Sequence, residues 1–242
     1  MNMQTSNRLE GIGEYYFSQK LREIEQLNKA GKQIINLGIG SPDLAPHPEV
    51  VKVLQEAAAQ DNFHAYQSYK GVPVLRNAIA EFYQTWYGVT LDPDTEVLPL
   101  IGSKEGIMHI CMTYLNAGDQ ALIPNPGYPT YSSAVQLAGG EPVYYDLTLA
   151  GHWEPDLEAL EKTDLSKVKL MWVNYPHMPT GQLPSDHFFE ALIAFATRHQ
   201  ILICHDNPYS FILNETPKSL LAVKGAKDVV VELNSLSKSA NM

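Results

Sequence analysis

Residues 201–206 read Ile201-Leu202-Ile203-Cys204-His205-Asp206. Four apolar residues follow one another without the polar alternation of a strand that has one wet face. Such a run marks a strand buried on both faces, as in a parallel sheet with helices on each side. Val229-Val230-Val231 repeats the pattern downstream. Working outward, Val97–Ile101, Ala121–Ile123, Pro142–Asp146 and Val168–Asn174 read as further strands, with Ile201–His205 and Val229–Leu233 completing the set. Helical patterns fill the intervals. The clearest begins at Ser185, which caps a helix running to about His199, with Asp186 in its first turn and Arg198 in its last, as the helix dipole favours. Short strands alternating with helices predict an α/β fold, a three-layer sandwich with a mostly parallel central sheet.

The N-terminal residues depart from this rhythm. A charged helix over roughly Tyr16 to Ala30, the turn Gly31-Lys32 and a short strand into Asn36-Leu37-Gly38-Ile39-Gly40 predict an arm belonging to a small domain, residues 1–40. Gly40 to Pro48 carries three prolines, which interrupt regular structure and mark the boundary to a large domain, residues 41–242. The 242 residues are 45% hydrophobic and 18% charged, enough to bury a sizeable core. With 17 basic against 27 acidic side chains the net charge is −10, which repels phosphate backbones and anionic lipid and argues against nucleic-acid or membrane partners. Cys111 and Cys204 lie in no C-x-x-C motif, so neither a disulfide framework nor a metal site is expected. The polar N-terminus lacks an apolar core, and runs such as Ala191–Ala196 are too short to span a bilayer. A cytoplasmic protein is the expectation.

In open α/β sheets ligands bind beyond the carboxyl ends of the strands. The residues found there are Gly102, Ser103 and Lys104, then Tyr128, Asn174, Asp206 with Tyr209, and Ser235, Ser237 and Lys238. Gly102-Ser103-Lys104 joins a strand to a helix, where exposed N–H groups and the helix dipole suit a phosphate; alone it reads more readily as a plain turn before a helix. Asp206, at the edge of a buried sheet, needs a partner such as a protonated ring nitrogen, a nearby Arg or a backbone turn. Lys238 follows a buried-type strand, where partial burial would free its amine to attack an aldehyde, although most lysines are solvated. Tyr128 offers an aromatic face to a planar ligand, or simply packs. Tyr66 precedes the helix of Leu75-Arg76 in an exposed-looking loop. Tyr15, Tyr16 and Phe17 at the arm's first turn are candidates to line a substrate, packing being the other reading.

As an ordered set these blocks resemble the class I/II pyridoxal-phosphate aminotransferases of fold type I. The blocks are Asn36–Asp43, Tyr66 with Gly71 and Leu75-Arg76, Gly102-Ser103-Lys104, Pro126-Gly127-Tyr128-Pro129, Pro179-Thr180-Gly181, Asp206-Asn207-Pro208-Tyr209 and Ser235-Leu236-Ser237-Lys238. The resemblance implies transfer of an amino group from an L-amino acid to a 2-oxo acid through a Lys238 Schiff base to pyridoxal 5'-phosphate. Asp206 would keep the ring nitrogen protonated, Tyr209 would bond the ring oxygen and Tyr128 would stack on the ring. Gly102, Ser103, Lys104 (through its backbone), Ser235 and Ser237 would hold the phosphate. Tyr66 would reach the phosphate of a neighbouring subunit, which implies a homodimer with shared sites, and Gly40 would lie against the substrate carboxylate.

Two departures from the family pattern stand out. The Asn that usually precedes Pro-Thr-Gly and donates to the ring oxygen is Met178 here, and a thioether cannot donate, so Tyr209 acts alone or Asn174 or His177 compensates. Relatives also place a phosphate-binding Arg shortly after the Lys and a carboxylate-binding Arg in a C-terminal domain; this sequence ends at Met242 with only Arg8, Arg22, Arg76 and Arg198. One interior strand is lacking by the same comparison, leaving open sheet edges. The expectation is an N-terminal fragment ending just after the Schiff-base lysine, its large domain incomplete, inactive and poorly stable alone. Two other activities fit the same motifs: a carbon–sulfur β-lyase using the same cofactor, and an aminotransferase-like effector domain without catalysis.

Overall fold

The computed structural model describes residues 3–10, 12–38 and 40–242. Five strands form one sheet: β1 (Gln120–Asn125), β2 (Glu141–Asp146), β3 (Val168–Asn174), β4 (Leu202–Asp206) and β5 (Val230–Leu233). Their order is β2-β1-β3-β4-β5 and every pairing is parallel. Side chains alternate between two cores. Ala121, Ile123, Leu170, Trp172, Cys204 and Leu233 pack under α4 (Ser103–Tyr114) and α5 (Thr130–Ala138). Leu122, Met171, Val173, Ile203 and Val230 pack under α6 (Leu157–Glu161) and α7 (Asp186–His199). With helices on both faces, the unbroken apolar runs of the sequence have their physical cause. α7 forms where the cap predicts, with the Ser185 hydroxyl accepting from the Phe188 N–H.

Two expected strands do not form. Val97–Ile101 makes no ladder. It lies on the β5 side of the sheet, since Leu100 and Leu233 both crowd the position where a Gly106 Cβ would stand. β5 is the outermost strand there, and no backbone hydrogen bond joins the two segments among the described residues. A strand exists only through its neighbour's hydrogen bonds, and this segment has no such neighbour among the described residues. The short strand expected before Asn36 is likewise unpaired, with Ile35 and Leu37 in solvent, and Ile39 of that motif lies outside the described residues. The arm helix α1 (Tyr16–Lys29) forms as predicted, but neither it nor α2 (Pro48–Ala58) buries a residue.

α3 (Pro73–Tyr87) packs on the α7 side near β5, where Tyr83, Tyr87 and Val89 form a third apolar cluster with Phe211. Among the described residues no helix is long and apolar enough to cross a membrane.

Candidate active site

Because all strands are parallel, their carboxyl ends share one edge of the sheet. The register sets Asn174 beside Asp206 and Asp206 beside Leu233. The strand order reverses between β1 and β3, which opens the crevice in which such sheets bind ligands. Tyr128, Asn174, Asp206 and Lys238 all emerge at this edge. A cavity of about 660 Å³ lined by Trp86, Phe189, Ile193 and Lys218 belongs instead to the α7 face.

Asp206 is 5% exposed. Its Oδ2 accepts a 2.7 Å hydrogen bond from the Tyr131 hydroxyl, while Oδ1 is buried without a partner among the described residues. Burial pushes the carboxyl pKa up, and the Tyr131 hydrogen bond and neighbouring His205 pull it back in part. An acceptor left bare in a dry place is costly unless something fills it.

Lys238 sits in the short turn of helix α8 (Leu236–Ser239), whose cap is the Ser235 hydroxyl accepting from the Ser237 N–H at 3.1 Å. The lysine Nζ donates to the Gly40 carbonyl at 3.5 Å, so two candidates from opposite ends of the sequence meet. The Ser237 hydroxyl donates to the Met242 carbonyl at 2.8 Å.

Gly102 heads α4 with φ 139°, a conformation open to glycine, and the N–H groups of Ser103 and Lys104 precede the first intrahelical bonds. The Lys104 ammonium extends to 5.8 Å from the centre of the Tyr128 ring. Tyr128 meets Tyr131 edge-on at 5.6 Å. The half-buried Tyr209 hydroxyl is pushed up first by burial, then by Asp206, Tyr128 and Tyr15. Burial also raises the Tyr15 hydroxyl pKa, with Tyr128 adding to the shift and Lys104 opposing it.

Other expected members are placed differently. Both ends of the Asn174 amide serve the main chain: Nδ2 donates to the Asp206 carbonyl at 2.7 Å and Oδ1 accepts from the Met178 N–H at 2.8 Å. His177 is equally committed, with Nδ1 at 2.8 Å from the Thr180 hydroxyl and Nε2 at 3.2 Å from the Pro126 carbonyl, and burial lowers its pKa. Tyr66 stands fully in solvent, touching none of the strand-end cluster. Its loop is braced by buried Arg76, which bonds the Pro93 carbonyl at 2.8 Å and Asp94 at 2.7 Å. Arg22 and Arg198 pair with Glu14 and Glu161, away from the strand ends. Tyr131 and its support Trp172, stacked at 5.0 Å and 9°, were not singled out by the sequence reading. The available signal was spacing, because Tyr131 follows Tyr128 by one helical turn.

Comparison with known proteins identifies the family and the fold. The sequence model of the family Aminotransferase class I and II matches residues 32–242. LL-diaminopimelate aminotransferase from Dehalococcoides mccartyi is 45% identical over 99% of the chain, and that from Halothermothrix orenii 41% identical. The chain spans 62% of the length of these relatives. Among solved structures, apo-BacF from Bacillus subtilis superposes with a TM-score of 0.93 at 39% identity, covering 100% of this chain and 62% of that one. A Thermus thermophilus aspartate aminotransferase shares the fold, with a TM-score of 0.92 at 24% identity over 100% of this chain and 62% of its own. With the family match reaching from the arm to the last residue, the chain belongs to the class I and II aminotransferases.

Proposed function

We propose that the protein is an aminotransferase that moves an amino group from an L-amino acid to a 2-oxo acid, with Lys238, Asp206 and Tyr209 at the reacting centre. The family is pyridoxal-phosphate-dependent. The observation that carries the reading is the bare, buried Oδ1 of Asp206 on the same sheet edge as Lys238. A protonated ring nitrogen is the donor that oxygen lacks, so the residues present fit the cofactor. When bound, pyridoxal phosphate supplies an aldehyde for a lysine amine and a ring that draws electrons from the substrate carbon.

The chain's own residues divide the remaining work. Asp206 holds the ring nitrogen's proton in place by charge. The Lys238 amine would carry a proton to and from the substrate α-carbon. Tyr128 covers a ring face and excludes water from it. The Ser103 and Lys104 N–H groups, with the Ser235 and Ser237 hydroxyls, bind the phosphate at the head of α4. Tyr209 is the donor left for a ring oxygen, given that Asn174 and His177 are committed elsewhere. Residues 41–242 form the cofactor-binding unit and residues 1–40 the arm that approaches the substrate. Exposed Tyr66 serves a second copy in a homodimer, in a cytoplasmic enzyme.

LL-diaminopimelate, named for the relatives, is also the donor proposed here. It carries an ammonium and a carboxylate at its far end. The Lys104 ammonium, near Tyr128 and Tyr15 and without a carboxylate partner among the described residues, suits that second carboxylate. The test, made on a protein of the full length of these relatives, is amino transfer to 2-oxoglutarate from LL-diaminopimelate, set against phenylalanine and methionine. A kcat/KM for LL-diaminopimelate at least tenfold above the monocarboxylates is expected; a preference for phenylalanine or methionine contradicts the substrate assignment.

A further inference from the structure

We propose that Tyr131 is a positioning residue, pinning one oxygen of Asp206 so that the other is presented to the cofactor's ring nitrogen. The proposal rests on the cofactor site described above and adds to it a residue outside the strand-end motifs. Tyr131 is wholly buried and its hydroxyl lies 2.7 Å from Asp206 Oδ2. A phenol has a single proton to give, and here it goes to that oxygen. A carboxylate has two equivalent oxygens and can turn about its bond to the chain. One fixed donor removes the equivalence and leaves Oδ1 as the bare oxygen.

The donor is itself held from two sides. Trp172 on β3 lies flat beneath the Tyr131 ring at 5.0 Å and 9°, and Tyr128 meets it edge-on at 5.6 Å and 85°. The same ring therefore touches the aromatic that would cover the cofactor and the acid that would anchor it. The titratable groups that act on Asp206 are Tyr131 from α5, Tyr209 from the loop after β4 and, from its own strand, His205, whose ring turns to Glu232 on the other face. Of these only Tyr131 hydrogen-bonds the carboxylate among the described residues. Donation from a neutral phenol favours the ionised carboxylate and works against the effect of burial.

The test compares affinities for pyridoxal phosphate and for its 1-deaza analogue, which has carbon in place of the ring nitrogen. Wild type, Tyr131→Phe and Tyr131→His are measured by fluorescence titration. Tyr131→Phe keeps the ring on Trp172 and removes only the hydroxyl; Tyr131→His restores an N–H donor. The expected result is a loss of about tenfold in pyridoxal phosphate affinity for Tyr131→Phe, the size of one charge-assisted hydrogen bond. The analogue should bind the Phe variant and wild type within about twofold, and Tyr131→His should recover part of the loss. Equal losses for both ligands, or no loss for either, would overturn the positioning role while leaving the cofactor site standing. A wild-type protein that binds neither compound would contradict the cofactor site and this role together.

Discussion

At the scale of single residues, Asp206 sets a conflict between stability and binding. Its carboxyl pKa is raised in the folded chain, chiefly by burial. A raised acid holds its proton more tightly folded than unfolded. Its contribution is therefore complete below the unfolded carboxyl value, about pH 4, and is lost as pH rises through the folded value. Without cofactor, Asp206→Asn is expected to be more stable than wild type at neutral pH, with the advantage shrinking towards about pH 4. Urea midpoints across that range check this, and an advantage independent of pH would show that ionisation is not its source. The same variant should bind pyridoxal phosphate more weakly, since an amide cannot pair with a charged ring nitrogen. Asp206 was legible in the sequence because four apolar residues and a histidine carry it to the end of a buried strand. Tyr131 was not, because a tyrosine in a helix carries no mark of the acid it meets 75 residues away. Asn174 was placed at the right strand end, but its amide turned out to hold main chain on both sides, that of Met178 four residues on and that of Asp206 on the neighbouring strand.

At the scale of elements, the strands that carry the site are tied together on their other face. Glu232 of β5 is fully buried and accepts from His205 at 2.8 Å, Tyr83 at 2.9 Å, the Ser219 hydroxyl at 2.9 Å and the Leu220 N–H at 3.0 Å. One carboxylate thus joins α3, β4, β5 and the segment before β5. Burial, followed by this carboxylate, pushes the Tyr83 hydroxyl pKa well above its ordinary range. Removing one member of a buried, hydrogen-bonded set leaves the others unpaired, which costs roughly 3–5 kcal/mol. Glu232→Ala is expected to lose that much stability by urea denaturation, and a loss under about 1 kcal/mol would mean the network contributes little. Sequence patterning located β1 to β5 and α7 because two-sided burial and helix capping are local signals. It also assigned strands to Val97–Ile101 and to the residues before Asn36. There the local pattern is strand-like, but pairing depends on a neighbour that a local pattern does not reveal.

At the scale of the whole molecule, the sheet brings together residues from the arm, from the head of α4 and from the ends of β1, β4 and β5. Gly40 and Lys238 touch across nearly the whole sequence. That convergence follows from parallel strands, which deliver every carboxyl end to one edge, and it is why an ordered series of short motifs was readable as one site. Large apolar side chains remain in solvent at Tyr66, Tyr69, Leu98 and Ile101. Contiguous apolar surface of that kind marks surfaces that associate, and these side chains are in keeping with the proposed homodimer. The most direct measurement is on Lys238 itself. The protein is incubated with pyridoxal phosphate, reduced with borohydride to fix any covalent link, digested and read by mass spectrometry. The expected result is a single modified lysine at 238, with the visible absorbance band absent from Lys238→Ala. Modification spread over surface lysines, or a band that survives in Lys238→Ala, would contradict the assignment of the reacting amine.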